Sequence, residues 1–298
     1  RSFFVMADMQ IASQVGLAWD VYVADPEPTL DTDLPPGATQ RVFSPTSATL
    51  IFGERDAVLV DALLTVAQAN ALADWVAGHG KNLKAVYVTH AHADHWFGLS
   101  VILERFPQAR AFALPPVVER MHTTHTPQFI AGWRTRFRGK LPETLVYPEP
   151  LAGGRLELEG HELVAVEVGH TDTDLTTILH VPDIGLVVAG DAAYNDVHQF
   201  LAESDHPQRV EWIAALDTIE ALRPRAVIAG HKRAGRADDP RIVEETRQYI
   251  RDFDRIAASS ATARELYDHV LALYPDRVNP GAVWASAVAL KKPADAVT

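Results

Sequence analysis

Four segments of the chain share one pattern: a continuous apolar run that stops on a polar residue. They are Ala57-Val58-Leu59-Val60-Asp61, Val86-Tyr87-Val88-Thr89-His90, Leu186-Val187-Val188-Ala189-Gly190-Asp191 and Ala226-Val227-Ile228-Ala229-Gly230-His231. Unbroken apolar runs of this length predict strands covered on both faces. Helical spacing lies between them. Val66, Ala69, Leu72, Ala73 and Val76 form one stripe over 65–77, and Val210, Ile213, Leu216, Ile219 and Leu222 form another over 208–222, which Pro224 ends. Residues 155–168 instead alternate apolar and polar around Gly160, the pattern of a β-hairpin with one wet face. The first fifty residues carry short strand patterns broken by Pro26, Pro28, Pro35, Pro36 and Gly37. Three amphipathic stretches near 241–258, 262–273 and 281–290 predict a helical C-terminal extension over 240–298. Antiparallel strands mixed with strand–helix units make an α+β chain, with buried sheets sandwiched by helices as the natural layering.

Residues 114–150 behave differently. Pro115, Pro116, Pro127, Pro142, Pro148 and Pro150 bracket a stretch that holds Phe129, Trp133, Arg134, Arg136, Phe137 and Arg138. One reading is a lid over a site; the other is a surface helical insertion whose aromatic residues pack on the body. No repeat or low-complexity tract divides the chain, so 1–298 reads as one domain.

Composition narrows the function classes. Hydrophobic residues make up 47% and charged residues 22% of the 298, an ordinary globular balance. A net charge of −12 argues against a phosphate-backbone footprint and hence against nucleic acid as a partner. No apolar run approaches 18 residues, and Arg1–Asp8 lacks a long apolar stretch, so the expectation is a cytoplasmic protein without a membrane partner. Cysteine is absent, which excludes disulfides and thiolate metal sites and leaves 13 histidines as the main ligand pool.

Those histidines are concentrated. Residues 90–95 read His-Ala-His-Ala-Asp-His, so His90, His92, Asp94 and His95 sit together where the strand-like run ending at Thr89 gives way to a loop. His90 and His92 suit one ion. Asp94 and His95 project differently and suit a second ion nearby. A catalytic ion needs about three protein ligands and an open position. Further ligands stand in Gly169-His170-Thr171, Gly190-Asp191 and Gly230-His231, two of them at the ends of buried strands, where a glycine lets the backbone turn sharply.

This ordered set resembles the metallo-β-lactamase-fold superfamily of hydrolases over about residues 40–235. The resemblance implies an αββα four-layer sandwich with metals at one edge of two packed sheets. It implies that His90, His92 and His170 hold a first ion, that Asp94, His95 and His231 hold a second, and that Asp191 bridges them. Asp61 matches the family's early Asp motif, with the implied role of orienting a His ligand through its free ring nitrogen. Two divalent ions are the implied cofactors; Zn²⁺ fits the imidazole-rich set best, and Mn²⁺, Fe²⁺ or Co²⁺ also fit. A hydroxide shared by the ions would attack a carbonyl carbon, with Asp94 steering a proton to the leaving group. Tyr194, three residues after Asp191, repeats an Asp-x-x-Tyr step of acyl-homoserine-lactone lactonases in this superfamily, where the phenol assists at the carbonyl.

The implied function is therefore a dinuclear hydrolase of a small-molecule carboxylic ester, a lactone foremost. A glyoxalase II-like thioesterase is the alternative, with Lys232, Arg233, Arg236 and Arg241 as candidates for holding its substrate. A mononuclear iron oxygenase of the persulfide dioxygenase type and a non-catalytic metal-binding protein are further alternatives. Gly169-His170-Thr171-Asp172-Thr173-Asp174 departs from the Gly-His-Thr-Pro-Gly pattern common in the family. The departure points to a less familiar branch.

Overall fold

The computed structural model describes residues 15–291; the segment Arg1–Asp8 and the last part of the C-terminal extension lie outside them. The strands are β1 Ala18–Val23, β2 Pro28–Thr29, β3 Arg41–Val42, β4 Ser47–Phe52, β5 Asp56–Val60, β6 Asn82–Tyr87, β7 Arg110–Ala113, β8 Glu149–Pro150, β9 Arg155–Leu158, β10 His161–Gly169, β11 Thr176–Val181, β12 Leu186–Asn195 and β13 Ala226–Lys232. The helices are α1 Val66–Gly78, α2 Ala93–Trp96, α3 Leu99–Arg105, α4 Pro115–Thr124, α5 Pro127–Arg136, α6 His206–Ala221, α7 Ile242–Ser259, α8 Ala263–Leu273 and α9 Pro280–Leu290.

Two large sheets result, in the orders β1-β4-β5-β6-β7-β8 and β13-β12-β11-β10-β9. The period-2 geometry of strands explains their layering. Leu186 and Val188 of β12 and Ala226 and Ile228 of β13 join the core shared with the first sheet. Their neighbours Val187, Ala189, Val227 and Ala229 instead pack with Trp212, Leu216 and Ile219 of α6 and Ile250 and Phe253 of α7. Continuous apolar strands are thus covered twice, by the other sheet and by helices. Within each sheet one parallel pair matters most: β5 with β6, and β12 with β13. The carboxyl ends of these four strands carry the polar residues that close the apolar runs.

Local chemistry fixes the elements. Thr65 and Gln68 form a capping box at the start of α1, and Asp205 and Gln208 form another at α6. The β9–β10 hairpin turns through Glu159 (φ 50°) and Gly160 (φ 86°), two positive φ values in succession as a type I′ turn requires. The stripes predicted for α1 and α6 need one adjustment each. Val66 and Val210 are exposed, at 36% and 52%. In α6 the face toward the sheet is Trp212, Ala215, Leu216 and Ile219, and Val210 falls off it. Residues 114–150 form two helices, α4 and α5, each opened by proline in its first turn. Trp133 stacks on Phe137 and meets Phe43 edge-on, so the segment packs on the body through its aromatic residues. Among the described residues no helix is long and apolar enough to cross a membrane.

Candidate metal centre

The loop after β5 prepares the site. Asp61 has φ 66°, in the left-handed region, which Asp tolerates better than most residues. This conformation turns its carboxylate toward the end of β6. There Oδ1 accepts from the Thr89 backbone N–H (2.9 Å), and Oδ2 accepts from the Thr89 hydroxyl (3.0 Å) and from His95 Nδ1 (2.7 Å). Because Thr89 Oγ1 donates to Asp61, its contact with His90 Nδ1 (2.8 Å) is accepted from the ring N–H. His231 Nδ1 donates to the Pro45 carbonyl at 3.3 Å, and His92 Nε2 donates to Glu203 Oε1 at 3.1 Å. Each of the four rings is held by one nitrogen, which leaves the other bare to act as a ligand.

The bare nitrogens face carboxylates in two groups. The first comprises His90, His92, Asp172 and Asp191; the second comprises Asp94, His95 and His231. In the first, His92 Nδ1 lies 2.7 Å and His90 Nε2 3.7 Å from Asp172 Oδ2. In the second, Asp94 Oδ2 lies 3.3 Å from His95 Nε2 and 3.4 Å from His231 Nε2. Asp191 touches both, at 3.5 Å from His90, 3.2 Å from His95 and 3.0 Å from His231. Asp94 also accepts from the Thr46 hydroxyl at 2.9 Å.

The donor set fits divalent cations on its own chemistry. His90 Nε2, His95 Nε2, Asp172 Oδ2 and Asp191 Oδ1 are buried polar atoms without a hydrogen-bond partner. Buried polar atoms are rarely left so, and four on one spot have the chemistry of metal-ligand atoms. Protonated, the same imidazoles would stand in for the charge of a cation. Burial raises the Asp191 carboxyl, but the charges of His231, His95 and His90 override it and hold the group far below the ordinary carboxylate range. Asp94 is likewise raised by burial and pulled below its usual value by His95 and His231.

Most of the expected residues meet here, and one does not. His90, His92, Asp94, His95, Asp191 and His231 fall in the two groups, and Asp61 supports His95 from behind. His170 stands outside both groups: its Nε2 donates to the Glu203 carbonyl at 3.1 Å, and its Nδ1 lies 3.6 Å from Asp174. Asp172 instead stands with His90, His92 and Asp191 in the first group. The cause is a tight loop after β10. Gly169 takes φ 79° beside a bulge, the Thr171 N–H returns to the Thr173 carbonyl at 2.9 Å, and the Thr171 hydroxyl donates to Asp172 Oδ1. The departing Asp-Thr-Asp motif was the sequence signal for this change. Glu203 gave no such signal. It accepts from His92 and from Thr173 Oγ1 (2.6 Å); burial raises its carboxyl, but the His92 charge and hydrogen bond bring it down to about 2.

Tyr194 lies in β12 with its ring 5.4 Å from that of His231 and 6.2 Å from that of Trp212. Its hydroxyl accepts from the Phe200 N–H at 3.4 Å. Burial, reinforced by Asp191 and Asp172, keeps the phenol protonated. Tyr194 is not among the residues that line the cavity beside the two groups.

A cavity of about 430 Å³ opens on both groups and is lined by His92, Asp94, Asp172, Asp191 and His231. Its apolar wall is Phe43, Phe129, Trp133 and Phe200. The α4–α5 segment is thus a wall of the cavity as well as an aromatic packing unit. Lys232 pairs with Asp238 (2.5 Å), Arg233 with Asp196 (2.6 Å) and Arg241 with Asp239 (3.5 Å), and Arg236 lies 3.9 Å from Asp196; none of the four lines the cavity.

Comparison with known proteins gives a consistent result. The family model described as the metallo-beta-lactamase superfamily matches residues 41–231. A metallo-beta-lactamase family protein from Thermus thermophilus is similar at 23% identity and a TM-score of 0.59, over 91% of each chain. A metallo-beta-lactamase from Pontibacter korlensis is similar at 14% identity and a TM-score of 0.57, covering 78% of this chain and all (100%) of that one. At these identities the likeness is one of fold. No curated protein matches the chain.

Proposed function

This chain belongs to the metallo-beta-lactamase superfamily, and we propose that within it the protein is a dinuclear metal-dependent hydrolase that opens a carboxylic ester, with a lactone as its substrate. One observation carries the reading: two ligand groups share Asp191 and face a single cavity. His90, His92, Asp172 and Asp191 would hold one ion, and Asp94, His95 and His231 the other, with Asp191 reaching both. Imidazoles in both groups suit Zn²⁺, while the two carboxylates of the first also admit Mn²⁺, Fe²⁺ or Co²⁺. Two such ions, when bound, supply an activated water and polarise a carbonyl.

The chain's own residues do the rest. Asp94 is an ionised carboxylate on the cavity wall, held by the Thr46 hydroxyl, and is placed to take a proton and pass it to a leaving alkoxide. Asp61 and Thr89 fix the rings of His95 and His90, and Glu203 fixes that of His92, so the ligand atoms are aimed before substrate arrives. Phe43, Phe129, Trp133 and Phe200 offer an apolar surface to the acyl or ring portion of the substrate. The thioesterase alternative is weaker because its four candidate basic residues face carboxylates away from the cavity. A mononuclear oxygenase needs only the first group, and a purely structural metal site is usually closed by protein ligands; a complete second group on an open cavity favours neither.

The test is metal content per chain combined with turnover of lactones, aryl esters and thioesters. About two transition-metal ions, with lactone turnover lost on chelation and restored by Zn²⁺ or Mn²⁺, is the expected result. One iron without ester turnover would replace this reading with the oxygenase, and thioesters as the preferred substrates would replace it with the thioesterase.

A further inference from the structure

The cavity that opens on the metal groups contains three arginines in a chain of net charge −12: Arg41, Arg120 and Arg136. Two are engaged with protein carboxylates or lie close to one. Arg136 grips Asp31 through Nε and Nη2 at 2.9–3.1 Å. Arg120 donates to Thr173 Oγ1 at 2.9 Å and lies 3.9 Å from Glu203, beside the first ligand group. Arg41 differs. Among the described residues it forms no ion pair; its partners are two backbone carbonyls, those of Asp33 (3.4 Å) and Gly281 (3.1 Å). A guanidinium has five N–H donors in a planar fork, so donors remain over.

Two carboxylates lie near Arg41, and among the described residues neither forms an ion pair with it. Burial works against its charge; Asp31 and Asp33 support it, and Arg136 opposes it. Yet Asp31 is bound to Arg136, and the Asp33 carboxylate accepts from Trp284 Nε1 at 2.9 Å. The backbone around Arg41 is anchored. β3 pairs with β2, and Asn279 at the start of α9 donates to Ser44. A half-buried arginine on a fixed strand, with donors to spare and an apolar wall beside it, is built to receive a carboxylate in two-point contact.

We propose that Arg41 is a specificity-determining residue that binds a carboxylate carried by the substrate, so that the preferred ester has an apolar or aromatic body and an acidic group remote from the bond that is cut. The inference rests on the ester-hydrolase reading for the identity of that bond. Hydrolysis adds one water across the acyl C–O bond and leaves the remote carboxylate unchanged. Phe43, Phe129 and Trp133 would cover the body, and Arg41 would set its direction in the cavity.

The experiment compares a phenyl-substituted γ-lactone bearing a carboxylate with its matched carboxamide, on the wild type, Arg41→Gln and Arg41→Lys. A charge-assisted hydrogen bond lost on one side predicts that the carboxylate-over-carboxamide ratio of kcat/KM falls about 10- to 100-fold in Arg41→Gln and returns in part in Arg41→Lys. The carboxamide serves as an internal reference, because a folding defect lowers both substrates alike. Calorimetric binding of 4-phenylbutyrate and 4-phenylbutanamide to the same proteins gives a reading without turnover. A carboxylate preference that depends on Arg41 in calorimetry, with no lactone cut, would sustain the anion site and remove the lactonase reading. Lactone turnover without a carboxylate preference, or with one that survives in Arg41→Gln, would overturn the anion site and leave the hydrolase standing.

Discussion

Asp172 and His170 are two residues apart, and the choice between them decides the character of the first ligand group. With Asp172 in place the group holds two imidazoles and two carboxylates; with His170 it would hold three imidazoles and one carboxylate. Asp172 Oδ2 is buried and faces His92 Nδ1 at 2.7 Å and His90 Nε2 at 3.7 Å, whereas the His170 ring faces the Glu203 carbonyl at 3.1 Å and Asp174 at 3.6 Å. A ligand lost from a group of four weakens that ion selectively. Asp172→Asn is therefore expected to bring metal content from about two toward one per chain, and His170→Ala to keep two. Mass-spectrometric metal analysis of the two purified variants reads this directly; the reverse pattern would return His170 to the ligand set. Asp61 acts at the same scale without facing the cavity. Its left-handed backbone lets one carboxylate hold both the Thr89 N–H and the His95 ring.

At the scale of elements, the site depends on how closely short backbone segments approach. The loop after β5 and the α2–α3 junction lie backbone to backbone: the Ala62 N–H donates to the His95 carbonyl at 2.8 Å, and the Gly98 N–H donates to that of Leu63 at 3.0 Å. A Cβ on Gly98 would sit 2.0 Å from the Ala62 carbonyl oxygen and 2.9 Å from Ala69 Cβ. Gly98 has an ordinary φ of −70°, so the requirement is one of space alone. Gly98→Ala is expected to cost about 1–3 kcal/mol through overpacking and to loosen the α2–α3 junction beside His95. Gly132, inside α5, meets nothing within 4 Å, and Gly132→Ala should be neutral or stabilising by up to about 1 kcal/mol. Urea melts of both variants check the contrast, and equal midpoints would refute the steric account.

At the scale of the whole molecule, the C-terminal helices are tied to the second sheet through buried polar contacts. His198, buried after β12, shares a 2.9 Å hydrogen bond between its Nδ1 and the Tyr249 hydroxyl, and its N–H donates to the Val278 carbonyl. Burial, aided by the charge of Arg277, lowers the His198 imidazole to about 3. An unfolded histidine titrates near 6.5, so above that pH both states are neutral and stability is unaffected. Below it the unfolded chain binds a proton that the folded one refuses. Stability then falls with pH by up to about 1.4 kcal/mol per unit, down to the folded value. His198→Gln should lessen the acid slope of stability between pH 6.5 and 4 by about that amount. Denaturant melts across this range test it, and an unchanged slope would mean that His198 does not carry the effect.

Much was legible in the chain itself. Continuous apolar runs ending on Asp61, His90, Asp191 and His231 marked the four strands that carry the site, because burial on both faces leaves no room for alternation. The cluster from His90 to His95 and the Gly-Asp and Gly-His steps marked the metal-binding chemistry, because those side chains have few other reasons to gather. Helix phase was less legible: Val66 and Val210 fit an apolar stripe by spacing, but the faces they occupy are set by how α1 and α6 sit on their sheets. Only the tertiary structure set Asp172 beside His92, since the turn after Gly169 decides which side chain faces that ring. Only it brought in Glu203 and Arg41, residues far from the ligand motifs in sequence, the one against the His92 ring and the other on the cavity wall. Residue type and period are properties of the chain, so they determined the strands and the kind of side chains that gather; which donor points at which acceptor across a loop depends on three-dimensional packing, so the fold alone decided which residues share each candidate ligand group and which line the cavity.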